Sequence, residues 1–244
     1  MEWLLLDIIN DLRALSANEV LSREAVIAII NRHNKALPPG EKHYAKKWLL
    51  RFYFDAKRAD PEQWRTWNVD PGLERRLIQT LQMKPRRNAS GVATITVITK
   101  PWRCTNDCVY CPSDVTMPRS YLRDEPACQR AEQNYFDPYL QVRSRLTMLQ
   151  AMGHTTDKIE LIVLGGTWSD YPPDYQTWFI KELFRALNDD QCAEASVRTR
   201  REFYEQVGLS RERAIIGANA QPTQILVDQG ILSYNQAIID LYLK

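Results

Sequence analysis

The stretch VATITVITKPWRCTNDCVYCP, residues 92–112, reads as a β-strand that runs directly into a loop carrying three cysteines within eight positions. Its first part, VATITVITK, alternates β-branched and small residues as a pleated, half-buried strand does. Cys104, Cys108 and Cys111 follow as C-x-x-x-C-x-x-C, with Tyr110 before the last and Pro112 after it. The chain has five cysteines, an odd number unevenly spread over 244 residues, so a disulfide framework is not the reading. Metal binding or catalysis is. Structural zinc sites want four protein ligands in two separated pairs, and here Cys128 and Cys192 stand alone.

Working outward from the loop, FDPYLQVRSRLTMLQAMGH (136–154) has the pattern of an amphipathic helix ending near Gly153. KIELIVLGGT (158–167) is a continuous apolar strand closing on two glycines, and PPDYQTWFIKELFRALND (172–189) is a further helix. Strand, loop, helix, strand, loop, helix begins a parallel α/β sheet or barrel, whose function is expected at the loops leaving the strand C-termini. The segment from Val197 onward offers helices and no clear buried strand.

Upstream the chain reads as helical. Trp3, Leu4, Leu6, Ile8, Ile9 and Leu12 recur at helix spacing, and Ser22 is placed to cap a second helix carrying Ala25, Val26, Ile29 and Ile30. LPPGEK (37–42) is a breaker; a third helix is expected over roughly 44–57 and a fourth over DPGLERRLIQTLQMK (70–84). The third helix sets Lys46, Lys47 and Arg51 among Trp48, Leu49, Leu50, Phe52 and Phe54. That pattern fits a solvated outer face or a basic, aromatic RNA-facing surface. Up to Arg103 there are 18 Lys and Arg against 11 Asp and Glu, and from Cys104 onward 14 against 19. A basic front part is compatible with nucleic-acid contact. No apolar run is long enough to span a bilayer, and the acids inside MEWLLLDIINDLRALSANEV argue against an export signal, so a cytoplasmic protein without membrane contact is expected.

Three thiolates on one short loop can hold three irons of a 4Fe-4S cubane and leave the fourth open to a small molecule. The spacing, with Tyr110 before the last cysteine, is similar to the signature of the radical S-adenosylmethionine (SAM) enzymes. There the amino and carboxylate groups of SAM chelate the open iron, and one electron cleaves the sulfonium. A three-cysteine zinc site completed by a histidine, and a chance cluster of thiols, are the alternatives. Gly165 and Gly166 in LGGT follow one strand later, where glycine permits close approach of a ligand to the backbone.

Taken together, MKPRRNASGVATITVITKPWRC, CVYCP, YFDPYLQVRSRLTMLQAMGHTTDKIELIVLGGTW and DYQTWFIKELFRALND resemble the catalytic subunit of Elongator and its bacterial and archaeal relatives, from about Met83 to Asp189. The resemblance implies a radical SAM enzyme joined to an acetyltransferase domain, which uses SAM and acetyl-CoA to place a carboxymethyl-type group on the wobble uridine of tRNA. It implies Cys104, Cys108 and Cys111 as cluster ligands, Gly165, Gly166 and Thr167 as the SAM-side turn, and Lys158 as a contact of acetyl-CoA. Tyr110 shields the cluster or packs in the core; no catalytic side chain is assigned. Lys46, Lys47, Arg51, Arg86 and Arg87 are candidates for RNA, and Lys100, Arg103, Arg143 and Arg145 for substrate or phosphate.

The expected architecture is α/β, a helical N-terminal domain followed by an incomplete radical SAM (βα) partial TIM-type barrel. Residues 1–82 form the basic helical domain, 83–190 the start of the core with the cluster loop, and 191–244 a helical insert-like tail. About two of roughly six βα units are recognisable, and neither later strands nor an acetyltransferase domain is. The expected partners are accordingly tRNA, an electron donor, and a missing C-terminal portion or a partner chain that supplies it. The rival functions are a fragment that binds tRNA or a partner without turnover, and a radical SAM enzyme acting on a different substrate.

Overall fold

The computed structural model describes residues 1–106, 108–189, 192–208 and 220–242, with the side chains of 87 and 88 left undescribed. The protein is α/β, mostly helical, with a two-stranded sheet among the described residues. Its chain divides into two compact units, 1–93 with 147–159, and 94–146 with 160–244.

The first unit contains α1 (Glu2–Ala14), α2 (Arg23–Lys35), α3 (Lys46–Ala59), α4 (Pro61–Thr66) and α5 (Pro71–Leu81). Leu4, Leu5, Ile8, Ile9 and Leu12 fall on one face of α1, and none is exposed to solvent. They join Val26, Ile29 and Ile30 of α2, Leu49, Leu50 and Tyr53 of α3, and Leu73, Leu77 and Leu81 of α5 in one apolar core. Polar residues set the helix starts. Ser22 Oγ accepts the amide of Ala25, as its sequence position predicts; Asp60 Oδ1 accepts Gln63 N, and Asp70 Oδ1 accepts Gly72 N and Leu73 N. Proline follows each of these two aspartates at the first helical position, where its missing N–H costs nothing. The short α4 has no counterpart in the sequence reading.

Two strands, β1 (Ala93–Ile98) and β2 (Ile159–Leu164), make the sheet. Ala93 N donates to Lys158 O, and Thr99 N to Leu164 O. The constant offset between partners makes the pair parallel. The connection between them contains α6 (Pro126–Glu132) and α7 (Pro138–Ala151), and β2 is followed by α8 (Pro173–Asn188), α9 (Ala193–Gln206), α10 (Ala220–Asp228) and α11 (Tyr234–Tyr242).

In the second unit the outer edge of β1 is closed by a side chain. Gln141 of α7 accepts the amide of Ile98 at 2.9 Å and donates to the Ile98 carbonyl at 2.9 Å, all of it buried. A primary amide thus takes the place of a neighbouring strand at this residue. Beside it, Asp137 starts α7 by accepting Leu140 N, and its other carboxylate oxygen receives Arg200 at 2.9 Å and the Tyr204 hydroxyl at 3.0 Å. Arg200 also pairs with Glu182 of α8 and lies 4.5 Å from the Tyr139 ring. Opposite charges and hydrogen bonds satisfy one another here, which is the condition for burying them. The same network fixes α9 to the second unit.

Candidate cofactor site

The loop leaving β1 and the turn leaving β2 are interlocked at the C-terminal end of the sheet. Thr99 Oγ1 lies 2.8 Å from the Tyr171 hydroxyl, which donates to the carbonyl of Lys100, also at 2.8 Å. The Trp102 indole donates to Asp170 O. The Asp170 carboxylate accepts the amide of Thr105 at 2.7 Å and its hydroxyl at 3.0 Å. Cys104 Sγ then sits 3.3 Å from Thr167 Oγ1. The first cysteine and the glycine turn, 63 residues apart, are therefore neighbours.

Gly165 has φ +153°, and a Cβ there would lie 1.9 Å from Thr99 Oγ1. Only glycine fits. Gly166 is different: an added Cβ would meet its nearest atoms, on Arg119, at 3.8 Å, ordinary contact distance. Burial pushes Tyr171 up to about 12. Next to the turn is a cavity of about 350 Å³ whose lining includes Thr99, Tyr121, Leu164, Gly166, Trp168 and Ile180.

The cysteine loop is also held from the far end of the chain. Asn235 of α11 accepts Cys104 N at 2.8 Å and donates to Cys104 O at 2.7 Å, closing both sides of one peptide residue. Gln224 of α10 does the same at the other side of the loop, accepting Val115 N at 2.8 Å and donating to Ser113 O at 3.1 Å. Tyr242 donates to Val115 O and Tyr234 to Met117 O. None of these four residues was a candidate from sequence. Separations of more than 100 positions leave no local signal to read.

All three loop cysteines are free thiols, Cys104 buried and Cys108 and Cys111 half-buried. Cys111 N donates to Cys108 O in a turn, and Cys111 Sγ lies 3.0 Å from Ser120 Oγ. Three free thiols on one loop, with Cys128 buried and Cys192 exposed elsewhere, fit in chemistry a cluster that takes three protein ligands. Among the described residues no three His, Cys, Asp or Glu side chains converge on one point. Cys104 lies against Thr167 and Cys111 against Ser120. Tyr110 is 83% exposed, with its pKa raised by a hydrogen bond to Cys108.

The remaining candidates are dispersed. Lys158 is exposed and precedes β2, at the other end of that strand from Gly165, Gly166 and Thr167. Lys46 is half-buried, which lowers its pKa; Lys47 is exposed with Nζ 4.9 Å from the Trp48 ring, and Arg51 pairs with Asp55 at 3.5 Å. Arg86 is exposed, and the side chain of Arg87 lies outside the described residues. Arg103 is exposed, Arg143 donates to Ala186 O, and Arg145 is buried. Lys100 is half-buried between the rings of Trp102 and Tyr175, at 4.6 and 4.9 Å, and that burial lowers its pKa.

The chain is similar to proteins named tRNA uridine(34) acetyltransferase and Elongator complex protein 3. It is 44% identical over 119 residues to the acetyltransferase of Methanocaldococcus infernus, covering 46% of this chain and 22% of that protein. With the acetyltransferase of Dehalococcoides mccartyi it shares 45% over 105 residues, 43% of this chain and 23% of the relative. With Elongator complex protein 3 of Mus musculus it shares 39% over 158 residues, 59% and 29% respectively. Over the matched segments the chain is homologous to proteins of these two names. The matched part is therefore less than a third of the length of these relatives. No family model matches the chain.

Proposed function

We propose that this chain carries the opening part of an Elongator-type radical SAM core and acts in carboxymethyl-type modification of the wobble uridine of tRNA, with SAM and acetyl-CoA as small-molecule reactants. The observation that carries the reading is the placement of Cys104 against Thr167, which brings a loop of three free thiols beside a glycine turn at the C-terminal end of a parallel sheet. In this reading Cys104, Cys108 and Cys111 hold a 4Fe-4S cluster, and the turn at Gly165, Gly166 and Thr167 lies against SAM. A reduced cluster with an open iron supplies the electron that cleaves the SAM sulfonium.

The chain's own residues prepare that chemistry. Asp170 and Asn235 fix the backbone on either side of Cys104. Trp102 and Trp168 pack on Tyr171 and keep water from the base of the loop. The remaining βα units, the acetyl-transferring portion and an electron donor are assigned to polypeptide beyond the matched segment or to partner chains, and Lys158 to acetyl-CoA. A cytoplasmic location follows from the substrate; no described helix is long and apolar enough to cross a membrane. The division at 82/83 and 190/191 into helical domain, core and insert-like tail belongs to the same proposal.

A binding-only reading has one observation of its own. In the first unit the ammonium groups of Lys42 and Lys47 lie 6.0 and 4.9 Å from the half-exposed ring of Trp48, the kind of basic, aromatic surface on which RNA bases stack. Electron paramagnetic resonance on the anaerobically reconstituted, dithionite-reduced protein separates the two. A reduced 4Fe-4S signal that shifts on adding SAM supports the radical SAM reading. Folded protein without such a signal, binding tRNA with a steep salt dependence, supports the other.

A further inference from the structure

Between the end of β1 at Ile98 and the start of α6 at Pro126 the chain forms turns, with neither helix nor strand among its described residues. The partners its peptide groups find elsewhere therefore decide its course. Two side chains of α10 and α11 meet that need in the same way. Asn235 takes both the N–H and the C=O of Cys104, at 2.8 and 2.7 Å, and Gln224 takes Val115 N and Ser113 O, at 2.8 and 3.1 Å. A carboxamide presents one acceptor and one donor side by side, as a neighbouring strand does. Apolar packing backs these pairs: Val115 is buried with Tyr234, Ala237 and Ile238. The carboxamides thus grip residue 104 and residues 113–115, on either side of Cys108 and Cys111. Between the grips Val109 and Tyr110 stand in solvent.

We infer that Asn235 and Gln224 are positioning residues for the cysteine loop, acting on its thiols through the backbone, and that α10 and α11 form the frame that holds the two ends of residues 104–115. The inference rests on the reading of Cys104, Cys108 and Cys111 as ligands of one cluster, and it gives the helical tail a part in building that site. Three sulfurs from one short loop share a cluster only where the backbone brings them to it, and ligand geometry is kept by the groups hydrogen-bonded around it. Cys104 is the most completely held: Asn235 takes its amide and carbonyl, Asp170 the next amide, and Thr167 lies against its sulfur. Toward the other end, Cys111 Sγ lies 3.0 Å from the hydroxyl of Ser120, whose φ of +84° is rare for serine. Such backbone conformations persist where the surroundings impose them, and they cluster at functional sites.

Site-resolved alkylation of the full chain, prepared without iron and read by mass spectrometry, tests the anchoring, with Cys128 as an internal gauge. Cys128 is buried in a different cluster, with Ile98, Ala131 and Phe136. Unfolding of the second unit exposes both thiols, whereas release of the clasp exposes Cys104 alone. Asn235→Ala should raise the alkylation rate of Cys104 about tenfold or more, as the loss of two hydrogen bonds predicts, and leave Cys128 unchanged. Gln141→Leu is the structural control and should speed both thiols together. Gln224→Ala should speed deuterium exchange of the Val115 amide and leave Cys104 slow. After anaerobic reconstitution, Asn235→Ala should lose iron to a chelator about tenfold faster than the unsubstituted chain. The positioning role is overturned if Asn235→Ala leaves Cys104 slow, speeds Cys104 and Cys128 equally, or keeps its iron as long as the unsubstituted chain, and Gln224 has no part in it if the Val115 amide stays protected. An unsubstituted chain that builds no 4Fe-4S cluster overturns the radical SAM reading instead, while the ratio of the two alkylation rates still decides whether Asn235 anchors the loop.

Discussion

β1 and β2 have the same length and similar apolar content, ATITVI and IELIVL, and they meet different surroundings. In β1, Ile95, Val97 and Ile98 are inaccessible to solvent, and Ile98 belongs to a core with Met117, Cys128, Ala131 and Phe136. Its outer edge is stopped by Gln141. In β2, Ile162 and Val163 each remain 37% exposed, and Trp178, Ile180 and Phe184 of the following helix show large apolar surface as well. The sheet is finished on one side and open on the other. A strand as apolar as β2 gains its folding free energy only when both faces are covered. Among the described residues, the apolar surface left over by the sheet lies at β2 and not at β1.

The sharpest way to break this asymmetry is to remove the stop. Gln141→Leu leaves the buried N–H and C=O of Ile98 without partners and should cost about 3–4 kcal/mol, read from urea unfolding. Shortening a β1 side chain comes next: Ile95→Ala should cost about 3 kcal/mol. Gly165→Ala, which drives a Cβ into Thr99 where the two strands end, should cost about 2–3 kcal/mol, whereas Gly166→Ala should stay within about 1 kcal/mol. Loss of SAM binding in Gly166→Ala without loss of stability would therefore report a ligand approaching that backbone.

Cys128, in the core that covers β1, sharpens the comparison through pH. Burial pushes its thiol up to about 12 from 9.0. The unfolded chain therefore releases this proton first, above pH 9, and the native state gives it up only near pH 12. The contribution is fully present below pH 9 and lost as pH rises toward 12. Cys128→Ala should flatten the stability curve between pH 9 and 10, before the buried tyrosines begin to contribute. The smallest effect is expected at β2 itself: Ile162→Ala, already partly in water, should cost less than about 1 kcal/mol. If it matched Ile95→Ala, β2 would be covered in solution by a surface not present in this structure.

What was legible in the sequence follows the range of the forces involved. Helix starts were legible because Ser22 acts on an amide three residues away, and the strands because alternation and apolar runs are local. The cysteine loop and the glycine pair were legible as motifs, and their meeting through Thr167 followed from the parallel strand order. The expected helix over 44–57 lies at Lys46–Ala59, a shift of two residues where the Asp60 cap takes over. Illegible were the contacts that close space rather than sequence: Gln141 on Ile98, Asp170 on Thr105, and Asn235 on Cys104. A lone Gln or Asn on a helix has many polar surroundings open to it, and composition does not distinguish the one that caps a strand edge.

The clasp formed by Asn235 has a consequence for how the protein is made. Cys104 and Asn235 are 131 residues apart, and synthesis runs from the first to the second. At about 5–20 residues per second, Cys104 is made roughly 6 to 26 seconds before the residue that secures it exists. During that interval the loop's thiols are open to oxidants, and the arrival of α11 sets the earliest time at which the clasp can close.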